Sequence, residues 1–111
     1  MAKFKISARS NGEFQFSLVA DNGRTILSSE GYSTKAGCMN GVESVKTNSQ
    51  DEKRYEMLVA KNGKFYFNLK ASNGQVIASS EMYETEESRK GGMDSVMKNA
   101  ANAEVDETTL S

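Results

Sequence analysis

The chain has the size of one ordinary domain and a charge close to balance. Its 111 residues include 14 Lys or Arg and 15 Asp or Glu, which gives a formal net charge of −1. Sequence-independent binding of nucleic acid needs a basic excess to neutralise phosphates, so no nucleic-acid partner is expected. No segment approaches the roughly 18 consecutive apolar residues of a membrane helix, so no membrane partner is expected either.

Histidine is absent, and cysteine occurs once, at Cys38. The first absence removes the commonest general base and the commonest metal ligand. A single cysteine forms neither an internal disulfide nor a multi-cysteine metal site. We therefore expect a protein without catalytic activity, cofactor or metal. The charged start of the chain is not followed by the apolar run of a signal peptide, so a cytoplasmic protein is expected.

The first half of the sequence predicts a three-stranded meander. Residues 3–9, 13–20 and 24–30 each carry apolar side chains on an inward face, with a period of two where the pattern is longest. Asn-Gly pairs separate the strands, and this pair favours two-residue type I′ hairpins. The residues predicted to face inward are Phe4, Ile6, Ala8, Phe14, Phe16, Leu18, Ala20 and Ile26.

After Tyr32 the apolar period becomes that of a helix. Thr34 is the candidate N-cap, and Val42 and Val45 form an apolar stripe. Gly41 lies inside this helix, where glycine costs about 1 kcal/mol relative to alanine, so we predict a close approach of the helix backbone to the sheet. Asn48 is predicted to end the helix in the left-handed conformation that asparagine tolerates.

The second half repeats the first with a shift of 51 residues. Residues 4–48 and 55–99 share 18 identities in 45 gapless pairs. The repeat predicts a second meander and a second helix. The counterparts are Tyr55, Met57, Val59, Phe65, Phe67, Leu69, Ala71 and Ile77 on the inward strand faces, Thr85 as N-cap, Glu86 and Glu87 in the first helical turn, Met93, Val96 and Met97 in the stripe, and Gly92 and Asn99.

The segment after the second helix, residues 103–107, is predicted to form a short strand. The equivalent stretch of the first unit begins at Glu52 and runs directly into residues 55–59, so one long strand could serve both units. Residues 108–111 are predicted to fray. The whole chain, residues 1–111, is predicted to be one domain made of two repeats, 3–51 and 54–107.

The repeated run Phe-x-Phe-x-Leu-x-Ala-x-Asn-Gly-x-x-Ile-x-x-Ser-Glu-x-Tyr, at residues 14–32 and 65–83, resembles the YegP-like family of small bacterial and archaeal proteins of unknown function. The resemblance implies an α+β fold: tandem β-β-β-α-β units share a single, mostly antiparallel sheet, two helices pack on one face, and the last strand of each unit is swapped onto the other. In members with one copy, two chains would supply the two halves. No activity is implied. The copies differ where Gly31 replaces Met82 and residues 37–39 replace 88–90.

The most polar feature repeated in both copies is Ser-Ser-Glu-x-Tyr, where a strand leads into a helix. Two such corners could line pseudo-symmetric binding pockets, with the carboxylate accepting a hydrogen bond and the ring stacking on a ligand. The structural interpretation is favoured, with the serines on a solvated strand and the ring over the start of the helix. The candidate binding residues are Ser29, Glu30, Tyr32, Ser80, Glu81 and Tyr83.

Polar features present in one copy only are the remaining catalytic candidates. Cys38, near a helix N-terminus, could have a lowered pKa and act as a nucleophile, but a lone Cys among Met and Val is more often a small buried hydrophobe. Arg89 and Lys90 are the other unrepeated candidates. Glu30 and Glu81 could approach each other across a symmetry axis, although the sequence gives no distance between them.

The leading hypothesis is therefore a non-enzymatic protein-interaction or structural module, expected to be a monomer. Recognition of a protein partner or of a second copy would use the outer sheet face or an edge strand. The alternative is a small-molecule or peptide binder that uses the two corners. Five apolar residues could form a modest patch on the outer face, although the favoured interpretation is that they are scattered and partly covered by Lys and Gln side chains: Val19, Leu27, Leu58, Tyr66 and Ala78.

Overall fold

A computed structural model describes residues 2–107 of the chain. The fold is α+β, with one seven-stranded mixed sheet and two helices packed on one of its faces. The prediction that residues 108–111 fray lies outside the described residues. The elements, in chain order, are β1 (Lys3–Ala8), β2 (Phe14–Val19), β3 (Thr25–Ser29), α1 (Lys35–Asn48), β4 (Tyr55–Val59), β5 (Phe65–Lys70), β6 (Val76–Ser80), α2 (Glu86–Asn99) and β7 (Glu104–Asp106).

The two halves meet at the centre of the sheet, whose strand order is β4-β5-β6-β3-β2-β1-β7. Strands β3 and β6 are antiparallel, and Ser28 lies opposite Ser79. These two serines are equivalent under the 51-residue shift, so a pseudo-twofold axis passes between them. The sheet is therefore built as the predicted duplication requires.

The last strand crosses to the opposite half, as predicted. Strand β7 follows the second helix but pairs in parallel with β1, with Val105 opposite Phe4. The first half has no matching strand of its own, because the residues after α1 form a 3₁₀ turn, Glu52–Arg54, and then enter β4 directly. The prediction of one long strand shared by both units is therefore wrong.

The four Asn-Gly turns close hairpins, but not the predicted type I′ turns. At the first turn, Gly12 N donates to Arg9 O (3.0 Å) and Arg9 N donates to Glu13 O (2.6 Å), which leaves three residues in the loop. Only the glycines have positive φ, with Gly12 at 88°. This is a type I turn followed by a glycine bulge, in which Asn keeps an ordinary negative φ.

Both helices begin at the predicted caps. Thr34 Oγ1 accepts a hydrogen bond from Gly37 N at 2.9 Å, and Thr85 Oγ1 accepts one from Ser88 N at 3.0 Å. The helices end at Asn48 and Asn99, but neither asparagine is left-handed. Each Nδ2 instead donates to a carbonyl one turn back, as from Asn48 to Ser44 O at 2.8 Å.

A single apolar core lies between the helices and the sheet, and a bulge in each half enlarges it. The pairing of β2 with β3 shifts register so that Leu18 faces Leu27 while Val19 faces Thr25. Both Ile26 and Leu27 are consequently buried in the core, although strict alternation had placed Leu27 outside. Ala78 is buried in the same way in the second half. The predicted outer patch therefore loses two of its five members.

The other three patch residues also fail to form an exposed surface. Val19 is buried, and Leu58 and Tyr66 are half-buried cross-strand partners. The outer sheet face consequently offers little apolar area for a partner.

Candidate functional site

The repeated serines hold the strand ends together. After β3 the chain leaves the ladder and rejoins it at Tyr32, which exchanges two 2.7 Å backbone hydrogen bonds with Phe14. Between these contacts, Ser29 Oγ accepts from Phe16 N at 2.9 Å and donates to Glu30 O at 2.8 Å. Ser80 makes the same two bonds in the second half. Both hydroxyls replace missing backbone partners and so have no remaining proton to offer a ligand.

The repeated tyrosines pack beneath the helices. The Tyr32 ring stacks on Phe16 with centroids 6.3 Å apart. Its hydroxyl occupies the space where a Cβ at Gly41 would lie, and Tyr83 stands in the same relation to Gly92. Burial raises the pKa of both tyrosines, and the neighbouring glutamate, Glu30 or Glu81, adds to the effect. The helix backbone thus comes close to the sheet at these glycines, as predicted: a tyrosine ring lies against each one, and a Cβ at Gly41 would also lie 2.9 Å from the Phe16 ring of β2.

One of the two predicted corners lines a cleft. Glu81 and Tyr83 face a cleft of about 520 Å³ between the start of α2 and the β2–β3 turn of the other half. Arg24 of that turn also lines the cleft, and its charge partly offsets the raised pKa of Tyr83. Arg24 was missed from the sequence because its repeat counterpart, Gln75, is neutral, so the repeat pattern gave no signal there.

The residues that differ between the copies have structural roles. Cys38 is fully buried, and burial raises the pKa of its thiol, which disfavours the thiolate that a nucleophile requires. At the equivalent position, Arg89 Nη1 donates to Leu58 O at 2.9 Å and the guanidinium lies 5.2 Å from the centroid of the Phe65 ring. Arg89 therefore secures α2 to β4 and β5.

The second edge of the sheet, strand β4, has no neighbour on its outer side among residues 2–107. Ala60 N donates to Lys64 O at 2.7 Å, and Leu58 lies opposite Tyr66. Since hydrogen-bonding direction alternates along an antiparallel pair, Tyr55, Met57 and Val59 direct their amides and carbonyls away from β5. These amides and carbonyls of β4 are therefore available to pair with an extended peptide.

The side chains along this edge are correspondingly exposed, although the sequence predicted them to be inward. Met57 is 39% exposed and Val59 is 60% exposed, whereas Ile6, the counterpart of Met57, is fully buried. The difference follows from β7, which places Val105 beside β1 while nothing in the described chain does so beside β4. Ala8, the counterpart of Val59, lies beyond the reach of the three-residue β7 and is exposed too.

A groove runs between this edge and α2. Its volume is about 450 Å³, and its apolar part is formed by Tyr55, Met57 and Met93. Charged side chains at its rim are Glu52, Glu86, Arg89 and Lys90. The Tyr55 hydroxyl donates to Ser49 O at 2.9 Å, and burial raises its pKa, so this ring is a fixed part of the floor.

The sequence held one signal for this site. Two swapped units require two terminal strands, but a fused chain has only one segment after its last helix. Together with the strand swap that the family resemblance implies, the repeat therefore indicates that one outer edge lacks its partner, and Met57 and Val59 lie on the edge that is open within residues 2–107.

Residues 2–107 contain neither a metal-binding cluster nor a membrane-spanning helix. No three acidic or cysteine side chains come close enough together to hold a metal ion. Neither helix in this part of the chain has the length and apolar character needed to cross a bilayer.

Comparison with known proteins identifies relatives along almost the entire chain. The sequence profile described as "Domain of unknown function (DUF1508)" matches twice, over residues 10–56 and 60–107. The UPF0339 protein YegP of Escherichia coli K12 is 49% identical over 106 residues, 96% of each chain. A UPF0339 protein of Stutzerimonas stutzeri is 51% identical over 102 residues, 92% of each chain.

Two solved structures have the same fold. The solution NMR structure of yegP from E. coli, described as a protein of unknown function, superposes with a TM-score of 0.92 at 48% identity and covers 99% of this chain and 95% of that one. A UPF0339 protein from Shewanella oneidensis gives a TM-score of 0.92 at 49% identity, covering 98% and 92%. The names of these relatives assign no function.

Proposed function

The chain belongs to the DUF1508 family, a family without an assigned activity, and we propose that it acts as a non-enzymatic module that binds an extended segment of a partner protein at the β4 edge. The observation that carries the proposal is the unequal covering of the two sheet edges. Strand β7 covers β1, whereas no strand within residues 2–107 occupies the equivalent place beside β4. Addition of a peptide strand to an open edge is a recurrent mode of protein recognition.

The chemistry of the edge supports this assignment. A bound strand would satisfy the outward amides and carbonyls of Tyr55, Met57 and Val59, and its alternate side chains would fall into the groove beside Met93. Exposed edge strands without such a role are usually protected by charges, bulges or proline. This edge carries one charge, Glu56, but it also exposes Met57 and Val59.

A catalytic role is not part of the proposal, because the chain has no histidine and the thiol of Cys38 is buried. The absence of a basic excess favours a protein partner over nucleic acid. We place the protein in the cytoplasm as a monomer. One buried cysteine with no disulfide partner fits a reducing compartment.

The test is selection of peptides on the intact chain. Octapeptides from a random displayed library are enriched on the immobilised protein, and their affinities are then measured in solution for two variants. Met57→Lys adds a flexible charge at the groove, whereas Met82→Lys changes a methionine that is 50% exposed and lines the separate cleft beside Glu81. We expect a loss of affinity of about tenfold or more with Met57→Lys, from the desolvation of an ammonium beside the bound strand, and little change with Met82→Lys.

Circular dichroism and urea unfolding of both variants establish that each one is folded. Enriched peptides that bind Met57→Lys as well as the unmodified chain would exclude the β4 edge. So would a library from which no peptide is enriched.

The cleft at the second corner supports a second candidate function, the binding of a small polar molecule between Arg24, Glu81 and Tyr83. A metabolite screen by thermal shift tests it, since a ligand at 100 times its dissociation constant adds about 2.7 kcal/mol of stability. We expect hits to lose their shift with Glu81→Gln and to keep it with Glu30→Gln, the same change in the other repeat. A shift that survives Glu81→Gln excludes this cleft.

A further inference from the structure

The vacant place beside β4 has a template within the same molecule. Strand β7 lies in the pseudo-equivalent place, parallel to β1, with Glu104, Val105 and Asp106 opposite Lys3, Phe4 and Lys5. A shift of 51 residues carries those three partners onto Arg54, Tyr55 and Glu56. A strand seated like β7 would therefore place its central side chain over Tyr55.

The apolar part of the template is retained at the vacant place. Val105 packs against the core beside the ring of Phe4, and the counterpart of that ring is Tyr55, on the floor of the groove. Met57 and Met93 replace Ile6 and Val42, and both methionines are unbranched and adaptable. The site thus accepts a β-branched or similar apolar residue at the central position.

The charged part of the template is reversed. At the occupied edge, Lys3 Nζ lies 3.4 Å from Asp106 Oδ2, and Lys35 forms an ion pair with Glu107. The counterpart of Lys35 is Glu86, which is exposed at the first turn of α2, and the counterpart of Lys5 is Glu56. The acidic end of β7 would therefore meet two carboxylates beside β4, of which Glu56 is paired with Lys70 at 3.2 Å and Glu86 is the more exposed.

The neighbouring cations do not cancel this reversal. Arg89 Nη2 lies 3.9 Å from Glu86 Oε1, but the Arg89 side chain is only 13% exposed and also donates to Leu58 O, whereas the Glu86 side chain is 74% exposed and its carboxylate stays accessible to a second cation. Lys90 remains at the rim, and Arg54 retains the positive charge of its counterpart Lys3. Glu86 corresponds to Lys35, the cation that pairs with Glu107 directly after the template strand.

We infer that the segment bound at β4 lies parallel to that strand, with an apolar β-branched residue over Tyr55 and a basic residue two positions later, facing Glu86. This inference rests on the proposed function and specifies its partner. The same charge pattern disfavours β7 of a second copy, because that strand is followed by Glu107 at the position where the site requires a cation.

The experiment uses two synthetic peptides and two forms of the intact chain. One peptide is residues 100–107 of this protein, Ala-Ala-Asn-Ala-Glu-Val-Asp-Glu. The other peptide has Lys in place of the final Glu. Each is titrated to millimolar concentration into the ¹⁵N-labelled chain and into its Glu86→Lys variant, and the amide shifts of β4 are followed.

We expect the Lys-ended peptide to bind the unmodified chain about two- to fivefold more tightly than the Glu-ended peptide, the range for one exposed ion pair. The preference should reverse with Glu86→Lys. Glu87→Lys, a neighbouring change in the same helical turn, is the control for a general change in charge. A preference that does not reverse with Glu86→Lys, or that reverses equally with Glu87→Lys, overturns the inference.

Orientation is read from a nitroxide placed at either end of the Lys-ended peptide. In the parallel arrangement, the label at the C-terminus broadens the amide of Val59 and the label at the N-terminus broadens that of Arg54. The opposite pattern overturns the inference while leaving strand addition at β4 intact. Absence of any β4 shift with both peptides also overturns it, and the peptide selection then decides whether the proposed function falls as well.

Sedimentation of the unlabelled chain tests the competing occupant. A concentration-dependent dimer that Met57→Lys abolishes would assign the β4 edge to a second copy. A monomer over the same concentrations agrees with the inference.

Discussion

At the scale of single residues, the duplicated positions mark packing constraints. Gly92 is retained with Gly41 because the hydroxyl of a tyrosine lies where a Cβ would be, and Tyr83 Cζ would lie only 2.6 Å from that Cβ. Gly91, the next residue in the same helix, has no atom within 4 Å of its hypothetical Cβ. Two adjacent glycines in one helix are therefore under different packing constraints, since a side chain has room at Gly91 but not at Gly92.

This contrast predicts opposite effects of one substitution. Gly92→Ala should lower the free energy of unfolding by about 1–3 kcal/mol, because the added methyl group displaces the Tyr83 ring from a packed core. Gly91→Ala should raise it by up to about 1 kcal/mol, the difference in helix propensity between alanine and glycine. Urea unfolding at fixed pH measures both changes.

A second variant separates the hydroxyl from the rest of the ring. Adding Tyr83→Phe to Gly92→Ala removes the closest atom and should recover part of the lost stability, while Tyr83→Phe in the Gly91→Ala background should not add stability. If Gly92→Ala stabilises the chain as much as Gly91→Ala, the close approach of Tyr83 does not constrain the helix.

The serines show where sequence reasoning about a site was limited. Ser29 and Ser80 were candidates for ligand binding because they recur beside a glutamate and a tyrosine. The structure uses their hydroxyls to accept from Phe16 N and Phe67 N at 2.9 Å, where the ladder is interrupted. Recurrence alone cannot separate these uses, because a hydroxyl that caps a strand and one that binds a ligand have the same sequence pattern.

At the scale of elements, the positions of the strands and helices follow from periodicity and capping. The differences between the predicted and the observed elements arise from backbone geometry. Each meander and each N-cap lies where the pattern placed it. The bulge at Ile26 was not predictable, because a single extra residue changes the face of Leu27 without changing composition. The turn type was missed because Asn-Gly also suits a type I turn with a glycine bulge.

Strand β7 is a second element whose pairing the sequence pattern could not predict. A segment of three residues, Glu104–Asp106, has too short a pattern to fix its partner or its direction. The resemblance to a known family supplied the swap, and the structure added that β7 runs parallel to β1. The open β4 edge then follows from the chain connectivity, which supplies one terminal strand for two outer edges. No single residue encodes it.

At the scale of the whole molecule, the pseudo-twofold arrangement makes each half dependent on the other. The central pairing of β3 with β6 would be lost in an isolated half, and the β1 edge would lose β7. Helix α1 also contacts β5 and β6 of the other half, so part of its apolar face has no partner alone. A half contains its own meander and the helix that packs on β2 or β5, but it lacks the strands of the other half that complete the sheet and the core.

Division of the chain in the 3₁₀ turn therefore gives a clear expectation. A fragment of residues 1–53 should not unfold cooperatively as a monomer, because it exposes two unpaired strand edges and buried core residues such as Leu27. Mixing it with residues 54–111 should restore the far-ultraviolet circular dichroism of the intact chain and yield a complex with a cooperative urea transition. A fragment 1–53 that sediments as a folded monomer would contradict the shared core.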